Sequence, residues 1–425
     1  MQEKSLPVTG VTPERYRRIE MRMVRRSVSS YVTAVCLALA LSACATTDFR
    51  PFTPADTDFA KRAITRTQRD ITVTAGVPTA EEFKSLSGVD VYADGIQPVW
   101  ISITNNRDEP LRLIYSSIDP DYYSPLEVAW FQRSHVRKRS RADMERWFYE
   151  NSLRRGIPAG ATRSGFVYTH EISGTKGFNV DIHGEAASGH FTFFVPIPGY
   201  TPDYKAVDFA SLYSEDEYFQ TDREGLRQAI AQLPCCTTDE TGELQGDPLN
   251  IIVIGTRTAL RRTLLRARWS DTELASPGTA TARSHRYRGR RPDGTFLRSR
   301  PDGNERKELR LWLTPIRLGE QAVWIGHVSY EMSGSLLSLQ PTRFQMDPDV
   351  DDARNYLLQN FWYSQSLAAF AMASGAPRAP IEAPLANFND EQFFSDGRRA
   401  VLFLSEDPVS LSETEIVVWE RFIVR

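Results

Sequence analysis

The sequence predicts an α+β protein with a β-sandwich-like N-terminal domain, which carries a helical insertion, followed by an α+β C-terminal domain. Three observations support this fold class. The chain has 425 residues, enough for two or three domains. Short runs rich in Val, Ile, Thr and aromatic residues dominate positions 66–200, whereas strand-like and helix-like segments alternate from position 247. The net charge of -3 gives no basic excess of the kind that nucleic-acid binding requires, so nucleic acid is not an expected partner.

The N-terminus predicts a secretory leader. Residues 1–20 lack the leader pattern, so we expect translation to start at Met21 or Met23. Residues 21–43 combine an arginine-bearing start with the short apolar run "YVTAVCLALAL", which is too short to span a bilayer comfortably. This pattern predicts a signal peptide rather than a membrane-spanning helix.

The leader ends in Leu41-Ser42-Ala43-Cys44, which resembles the bacterial lipobox. The resemblance implies cleavage before Cys44 and attachment of lipid to Cys44, with residues 44–65 as a tether. Ala45 follows the cysteine, and by resemblance to the usual sorting pattern this favours the outer membrane. We therefore expect a lipid-anchored envelope protein at the outer membrane, facing the periplasm.

Residues 66–200 predict the β-rich domain. In "PVWISITN", Val99, Ile101 and Ile103 alternate with polar or amphipathic neighbours, as a half-buried strand requires. The insertion at 124–156 predicts two helices, the first with Ser124 as N-cap and Pro125 at the first helical position. Its basic middle, "RSHVRKRSR", is either a solvated turn or a contact for an anionic membrane.

Residues 201–246 predict a connector with a helix that Thr221 caps and Pro234 ends. Cys235 and Cys236 follow directly. Adjacent cysteines in an oxidising periplasm are either two buried thiols, a strained vicinal disulfide, or a redox or metal site.

Residues 247–425 predict the second domain, with its core at 247–375. In "DPLNIIVIGTRTALRRTLLRARW", a buried strand precedes a helix at 257–269 that Thr256 caps. Turn signals such as Pro301-Asp302-Gly303 then predict an antiparallel meander. A long helix is expected from Pro348 to Ser374 with Asp347 as N-cap, then a link over 376–392 and two final strands.

Four arginines form a candidate anion-binding surface. Arg262 and Arg266 share a helix face at i,i+4, and Arg286 and Arg288 share a face of a predicted strand. The expected partner is an anionic lipid, lipopolysaccharide or a cell-wall polymer. The alternative is an ordinary solvated surface, and no protein partner can be named.

His285 and His327 form a candidate polar site, because both lie on predicted strands of the second domain. The chain has no G-x-S-x-G, H-E-x-x-H or P-loop pattern, so no catalytic residue is predicted. The acidic run "DPDVDD" lacks the glycine and the glutamate of a calcium loop and instead predicts a helix start. No metal or cofactor is expected.

The segments "GDPLNIIVIGT", "RSHRYRGR", "LRLWLTPI", "VWIGHVSYE" and "DPDVDDARNYLLQNF" together resemble the LssY-type C-terminal domain. The resemblance covers about residues 240–375, and Gln345 stands where a histidine is expected in relatives. It implies either an envelope lipoprotein or a relative of proteins fused to modules that resemble phosphatidic-acid phosphatases. It carries over no catalytic residue. The first expectation is therefore a binding or scaffold module, and the alternative is a hydrolase or phosphatase-associated protein acting on lipid-linked envelope substrates.

Overall fold

The structure is a computed structural model that describes residues 47–51, 58–172, 174–186, 188–274, 284–299, 305–333 and 344–420. The leader, Cys44 and the turn at Pro301 lie outside the described residues. Within the described residues, no helix is both long enough and apolar enough to cross a membrane.

The N-terminal part contains two four-stranded antiparallel sheets. One sheet has the order β1-β2-β3-β6 and the other β5-β4-β7-β8. The strands are β1 (Ile64–Gln68), β2 (Ile71–Gly76), β3 (Ile96–Asn105), β4 (Leu111–Ile114), β5 (Gly156–Ile157), β6 (Thr162–His170), β7 (Thr175–His183) and β8 (Ser188–Pro196). Strand β3 confirms the predicted alternation, because Val99, Ile101 and Ile103 are fully buried. These side chains share one hydrophobic cluster with Phe178 and Phe193 of the other sheet.

Helices cover the first sheet. They are α1 (Asp58–Lys61), α2 (Ala80–Ser87), α3 (Pro125–Phe131) and α4 (Arg141–Glu150). Helix α3 begins as predicted: the Ser124 hydroxyl accepts from the Glu127 amide, and Pro125 occupies the first turn. Phe83 of α2 and Phe148 of α4 pack in a second hydrophobic cluster with Tyr168 of β6.

The C-terminal part is built on one ten-stranded mixed sheet, and this confirms the α+β class. The main strand order is β13-β14-β15-β16-β12-β21-β18-β22, with β9 beside β15 and β17 beside β16. The strands are β9 (Phe219–Thr221), β10 (Cys236–Thr238), β11 (Gln245–Pro248), β12 (Ile251–Gly255), β13 (Ser270–Asp271), β14 (Gly294–Ser299), β15 (Glu305–Leu318), β16 (Gln321–Ser333), β17 (Phe344–Met346), β18 (Leu367–Ala379), β19 (Leu385–Ala386), β20 (Gln392–Phe393), β21 (Ser395–Leu404) and β22 (Glu415–Val417). Strands β10 and β11 form a separate two-stranded ribbon.

Three helices cover the large sheet: α5 (Arg223–Ala231), α6 (Arg257–Arg266) and α7 (Val350–Tyr363). Helices α6 and α7 pack on one hydrophobic cluster of the sheet, and α5 packs on a second cluster. Thr256 caps α6 as predicted, since its hydroxyl accepts from the Ala259 amide. Helix α5 is capped by Asp222 rather than by Thr221, because the Asp222 carboxylate reaches the Gly225 amide.

The helix predicted from Pro348 to Ser374 is confirmed in its first part but is wrong in its N-cap and in its second half. Helix α7 begins after its N-cap Asp349, not after Asp347, and ends at Tyr363. Gln365 then takes a left-handed backbone with a φ of 58°, and β18 follows. The alanine-rich start of β18 suits a helix by propensity, but pairing with β21 on one side and β22 on the other outweighs it. The predicted link after this segment contains the end of β18 and the short hairpin β19–β20.

Candidate functional site

The candidate site is centred on Asp247, which lies in β11 just before the buried strand β12. The carboxylate is almost fully buried and accepts two hydrogen bonds. The amide nitrogen Nδ2 of Asn387 lies 2.7 Å from Oδ1, and the guanidinium of Arg310 lies 3.0 Å from Oδ2. These two donors fix the orientation of the carboxylate.

His327 approaches the same carboxylate oxygen from β16. It is the cross-strand partner of Arg310, and its Nε2 lies 3.6 Å from Oδ2 of Asp247. Its Nδ1 lies 2.7 Å from the carbonyl oxygen of Pro248, which can only accept. Nδ1 therefore carries the proton of the neutral ring, and Nε2 presents a lone pair. This Nε2 is buried and has no hydrogen-bond partner among the described residues.

His285 approaches Oδ2 of Asp247 from another direction, with Nε2 at 3.3 Å. Its Nδ1 lies 2.9 Å from the hydroxyl of Thr237, and that hydroxyl donates to the main-chain carbonyl of Asp247 at 3.3 Å. We assign the hydroxyl proton to this carbonyl, so that Nδ1 of His285 donates to the hydroxyl and His285 has the same tautomer as His327. The prediction that His285 lies on a strand is wrong, because it precedes a single bridge between Arg286 and Thr238.

Close packing holds His285 in place. The ring of Phe388 lies over the imidazole, with centroids 4.5 Å apart. A side chain at Gly246 would come within 2.9 Å of Nδ1 of His285, so this position needs the missing Cβ. The side chain of His285 keeps 9% of its exposure, compared with 4% for Asp247 and none for His327. Of these three side chains, His285 is thus the one nearest to solvent.

The charges at the site follow from burial and neighbours. Burial raises the pKa of Asp247, but the imidazoles of His285 and His327 and the Arg310 guanidinium outweigh it and hold that pKa well below its usual range. Burial lowers the pKa of His285 to about 4 and also lowers the pKa of His327. At neutral pH the carboxylate is therefore ionised and both imidazoles are neutral. Two nitrogen lone pairs and one anionic oxygen converge, an arrangement suited to accepting protons.

A row of charges continues the site along the sheet. Arg306, Glu308 and Arg310 alternate along one face of β15. Glu308 pairs with Arg310 at 2.5 Å, and Glu331 of β16 pairs with Arg306 at 2.6 Å. Burial raises the pKa of Glu331, helped by the charge of Glu308. Within the described residues, no group of three or more His, Cys, Asp and Glu side chains is arranged to hold a metal ion.

Residues 227–398 match the family described as LssY C-terminus. The chain carries an LssY-like C-terminal domain. The match includes Asp247, both histidines, Arg310 and Asn387. No curated protein matches the chain.

Sequence reasoning found the two histidines of this LssY-like domain but missed Asp247, Arg310, Glu308 and Asn387. Asp247 had one visible signal, since it is an acid directly before a continuous apolar strand. The charge alternation of "ERKELRLWL" is a signal for Arg310 and Glu308. Asn387 lies in the segment that was interpreted as a link, so nothing in the sequence marked it.

The first arginine pair of the candidate anion surface lies on α6 as predicted, but it contacts acidic and carbonyl groups of the same domain. Arg262 lies 3.8 Å from a carboxylate oxygen of Glu406 and 3.7 Å from one of Asp407. Arg266 donates to the main-chain carbonyl of Glu406. Burial lowers the pKa of Arg266, and the neighbouring Arg262 lowers it further.

The second arginine pair does not share a strand face, so that part of the prediction is wrong. Arg288 has a φ of 49° and lies in the turn between Tyr287 and Arg290. Arg286 lies before this turn and donates to the carbonyl of Gly289 at 3.3 Å. A left-handed residue interrupts the alternation on which the prediction depended. Anion binding by these arginines stays a prediction.

Cys235 and Cys236 are two free thiols rather than a disulfide. Cys236 begins β10 and is buried, whereas Cys235 is half-buried. Both lie close to the Asp247 site, because Cys236 of β10 is paired with Pro248 of β11.

Proposed function

We propose that the LssY-like domain is a hydrolase that acts on lipid-linked envelope substrates through the Asp247 cluster. One observation carries this proposal: the Nε2 atoms of His285 and His327 face the same oxygen of one ionised carboxylate. A purely structural polar cluster would satisfy its lone pairs with donors, but Nε2 of His327 is buried without one. The substrate class rests on the LssY resemblance and on the predicted lipid anchor.

His285 is the proposed general base. It is the more accessible of the two imidazoles and, in the assigned tautomer, has an unprotonated Nε2. A water or a substrate hydroxyl gives its proton to this nitrogen, and the resulting imidazolium forms 3.3 Å from the ionised Oδ2 of Asp247. Asp247 thereby stabilises the charge that develops, and Thr237 keeps the ring in its working tautomer.

This reading is preferred to a binding module because the arginines that suggested one have internal partners. Arg262 lies beside Glu406 and Asp407, and Arg286 donates to a neighbouring carbonyl. In the basic helical insertion, Arg133 pairs with Glu145 at 2.5 Å.

The test is a hydrolysis assay of the full chain in detergent micelles. The substrates are a prenyl diphosphate, phosphatidic acid and p-nitrophenyl phosphate, and the release of inorganic phosphate is measured. Removal of a general base typically lowers kcat by about 10²–10⁴-fold, and this loss is expected for His285→Gln. The matched control is His190→Gln, which removes another histidine beside an aspartate, with Nδ1 2.5 Å from Asp181, outside the LssY-like domain.

The outcomes separate the two functions. Phosphate release that falls in His285→Gln but not in His190→Gln supports the hydrolase. Equal rates in both variants, or no release from any of the three substrates by the unmodified chain, would refute it. Salt-sensitive binding of anionic lipid vesicles without turnover would instead support the binding module.

We further propose that the chain is anchored in the outer membrane through lipid on Cys44 and faces the periplasm. The support is the lipobox resemblance and the signal-like segment before it. We also propose that the two N-terminal sheets form a β-sandwich, since side chains of both contribute to one hydrophobic cluster. The predicted division into a β-rich domain at 66–200, a connector at 201–246 and a second domain at 247–425 belongs to the same proposal.

A further inference from the structure

The helical insertion exposes large apolar side chains on both of its helices. Leu126 and Trp130 lie one turn apart on α3 and are 52% and 55% exposed, and Tyr149 of α4 is 57% exposed. The side chain of Arg133 connects the two helices. Its Cζ lies 4.2 Å from the ring centroid of Trp130, and its guanidinium pairs at 2.5 Å with Glu145, one turn from Tyr149 on α4. Grouped apolar side chains of this kind mark an interaction surface, whereas single ones are ordinary.

The insertion is also strongly basic. It contains eight Arg and Lys residues against four Asp and Glu residues, a net charge of +4, in a chain whose net charge is -3. Lys138, Arg141 and Arg154 have no carboxylate within ion-pair distance among the described residues. The guanidinium of Arg154 instead lies 3.9 Å from the ring centroid of the exposed Tyr149. Exposed aromatic rings beside unpaired cations are typical of protein surfaces that lie on an anionic bilayer.

The N-terminal segment is attached to this insertion. Thr47 pairs with the connector between α3 and α4: its amide donates to the carbonyl of His135 at 3.0 Å, and its carbonyl accepts from the amide of Arg137 at 2.9 Å. The carboxylate of Asp48 adds an ion pair to Arg139 at 2.6 Å. The chain is therefore fixed to the insertion immediately after the predicted lipid anchor.

The length of chain before Thr47 decides what covers the exposed surface. Cys44 precedes Thr47 by three residues, and three residues span at most about 11 Å. Lipid on Cys44 would therefore enter the bilayer beside the insertion. The occupant that the chain itself brings to this surface is a membrane, and the positive charge of the insertion complements anionic headgroups.

We propose that the helical insertion is a membrane-docking surface that lies on an anionic phospholipid bilayer. The rings of Trp130 and Tyr149 enter the membrane interface, where their apolar faces and polar N–H and O–H groups are both satisfied. The cations of Lys138 and Arg154 lie at the lipid phosphates. This contact rests on the proposed anchor at Cys44, and it leaves the proposed hydrolase of the LssY-like domain unchanged.

The test measures vesicle binding by the chain from residue 45 onward, which contains every described residue and lacks both the leader and Cys44. Sedimentation with vesicles of equal parts phosphatidylglycerol and phosphatidylcholine is compared with sedimentation with phosphatidylcholine alone. Each cation near an anionic surface strengthens binding by about fivefold, so the double variant Lys138→Gln/Arg154→Gln should bind the anionic vesicles about 25-fold more weakly. This chain carries no lipid, so the result is independent of the anchor, which palmitate labelling tests separately.

A matched pair of tyrosines tests the aromatic part of the surface. Tyr149→Ala should weaken binding by about tenfold, because a large apolar side chain is lost from the interface. Tyr363→Ala should leave binding unchanged, although Tyr363 of α7 is 81% exposed. Trp130→Phe should keep binding but lose the quenching of its fluorescence by lipids with brominated acyl chains.

Three results would overturn the proposal. The first is no binding of the anionic vesicles by the unmodified chain. The second is an equal loss of binding in Tyr149→Ala and Tyr363→Ala, which would make the exposed rings of the insertion no different from one elsewhere. The third is unchanged binding in Lys138→Gln/Arg154→Gln, because the membrane would then not contact these cations.

Discussion

Acidification should lower the free energy of unfolding of the LssY-like domain by about 3 kcal/mol less in the His285→Gln variant than in the unmodified chain. Burial lowers the pKa of His285 from 6.5 to about 4. The unfolded chain therefore binds a proton at this residue in a range where the folded chain does not. The contribution of neutral His285 to stability is complete above pH 6.5 and is lost as the pH falls from 6.5 to about 4. The interval corresponds to about 3 kcal/mol at about 1.4 kcal/mol for each pH unit.

Native-state hydrogen exchange measures this effect in the right part of the chain. The free energy of opening is followed at pH 4 to 7 for peptides of β15 and β16, which contain Arg310 and His327. The unmodified chain should lose stability on acidification, and His285→Gln should lose about 3 kcal/mol less. Burial raises the pKa of Asp293 to about 6, which gives an opposite slope in both proteins and cancels in their difference.

The matched variant is again His190→Gln. The hydrogen bond that His190 donates to the Asp181 carboxylate raises the pKa of His190, so its contribution to stability is present at low pH and lost as pH rises. This variant should leave the acid sensitivity of the β15 and β16 peptides in place. If His285→Gln shows the same slope as the unmodified chain, His285 is not buried in the neutral form, and the argument for its role as a base fails.

Three further predictions concern other parts of the chain. Gly246→Ala should destabilise the domain by about 1–3 kcal/mol in urea unfolding, because its Cβ would clash with the hydroxyl of Thr237. Arg354→Leu should cost about 3–5 kcal/mol in the same measurement, since it removes the buried cation that pairs with the carboxylates of Asp351 and Asp396. Cys44→Ala should abolish incorporation of labelled palmitate and release the chain from the membrane fraction; unchanged labelling would exclude the lipobox.

Local features of the fold could be predicted from the sequence where a few neighbouring residues decide them. The alternation in β3 is one example, and the N-caps Ser124 and Thr256 are others, because each depends on contacts within four residues. The alanine-rich start of β18 shows the limit. Its helix propensity is a local property, but its strand conformation depends on β21 and β22, which lie far along the chain.

The sequence predicted the two histidines of the candidate site, but their convergence on Asp247 could not be predicted, for the same reason. Asp247, His285 and Asn387 are separated by up to 140 residues, and no spacing between them carries a motif. Arg310 and His327 meet only because the register of β15 and β16 makes them partners. A slip of one residue would move each of them to the opposite face of the sheet.

Two buried charge clusters of the LssY-like domain differ in how their charged groups are paired, and this difference distinguishes a structural cluster from a candidate catalytic one. In the cluster around Arg354, the guanidinium pairs with Asp351 and Asp396, and these carboxylates also accept from backbone amides, so the cluster is explained by its own hydrogen bonds. The cluster around Asp247 instead directs two imidazole lone pairs at an anion, an arrangement that costs stability. Strain of this kind is retained where it serves a function, and the proposed acid–base role supplies one.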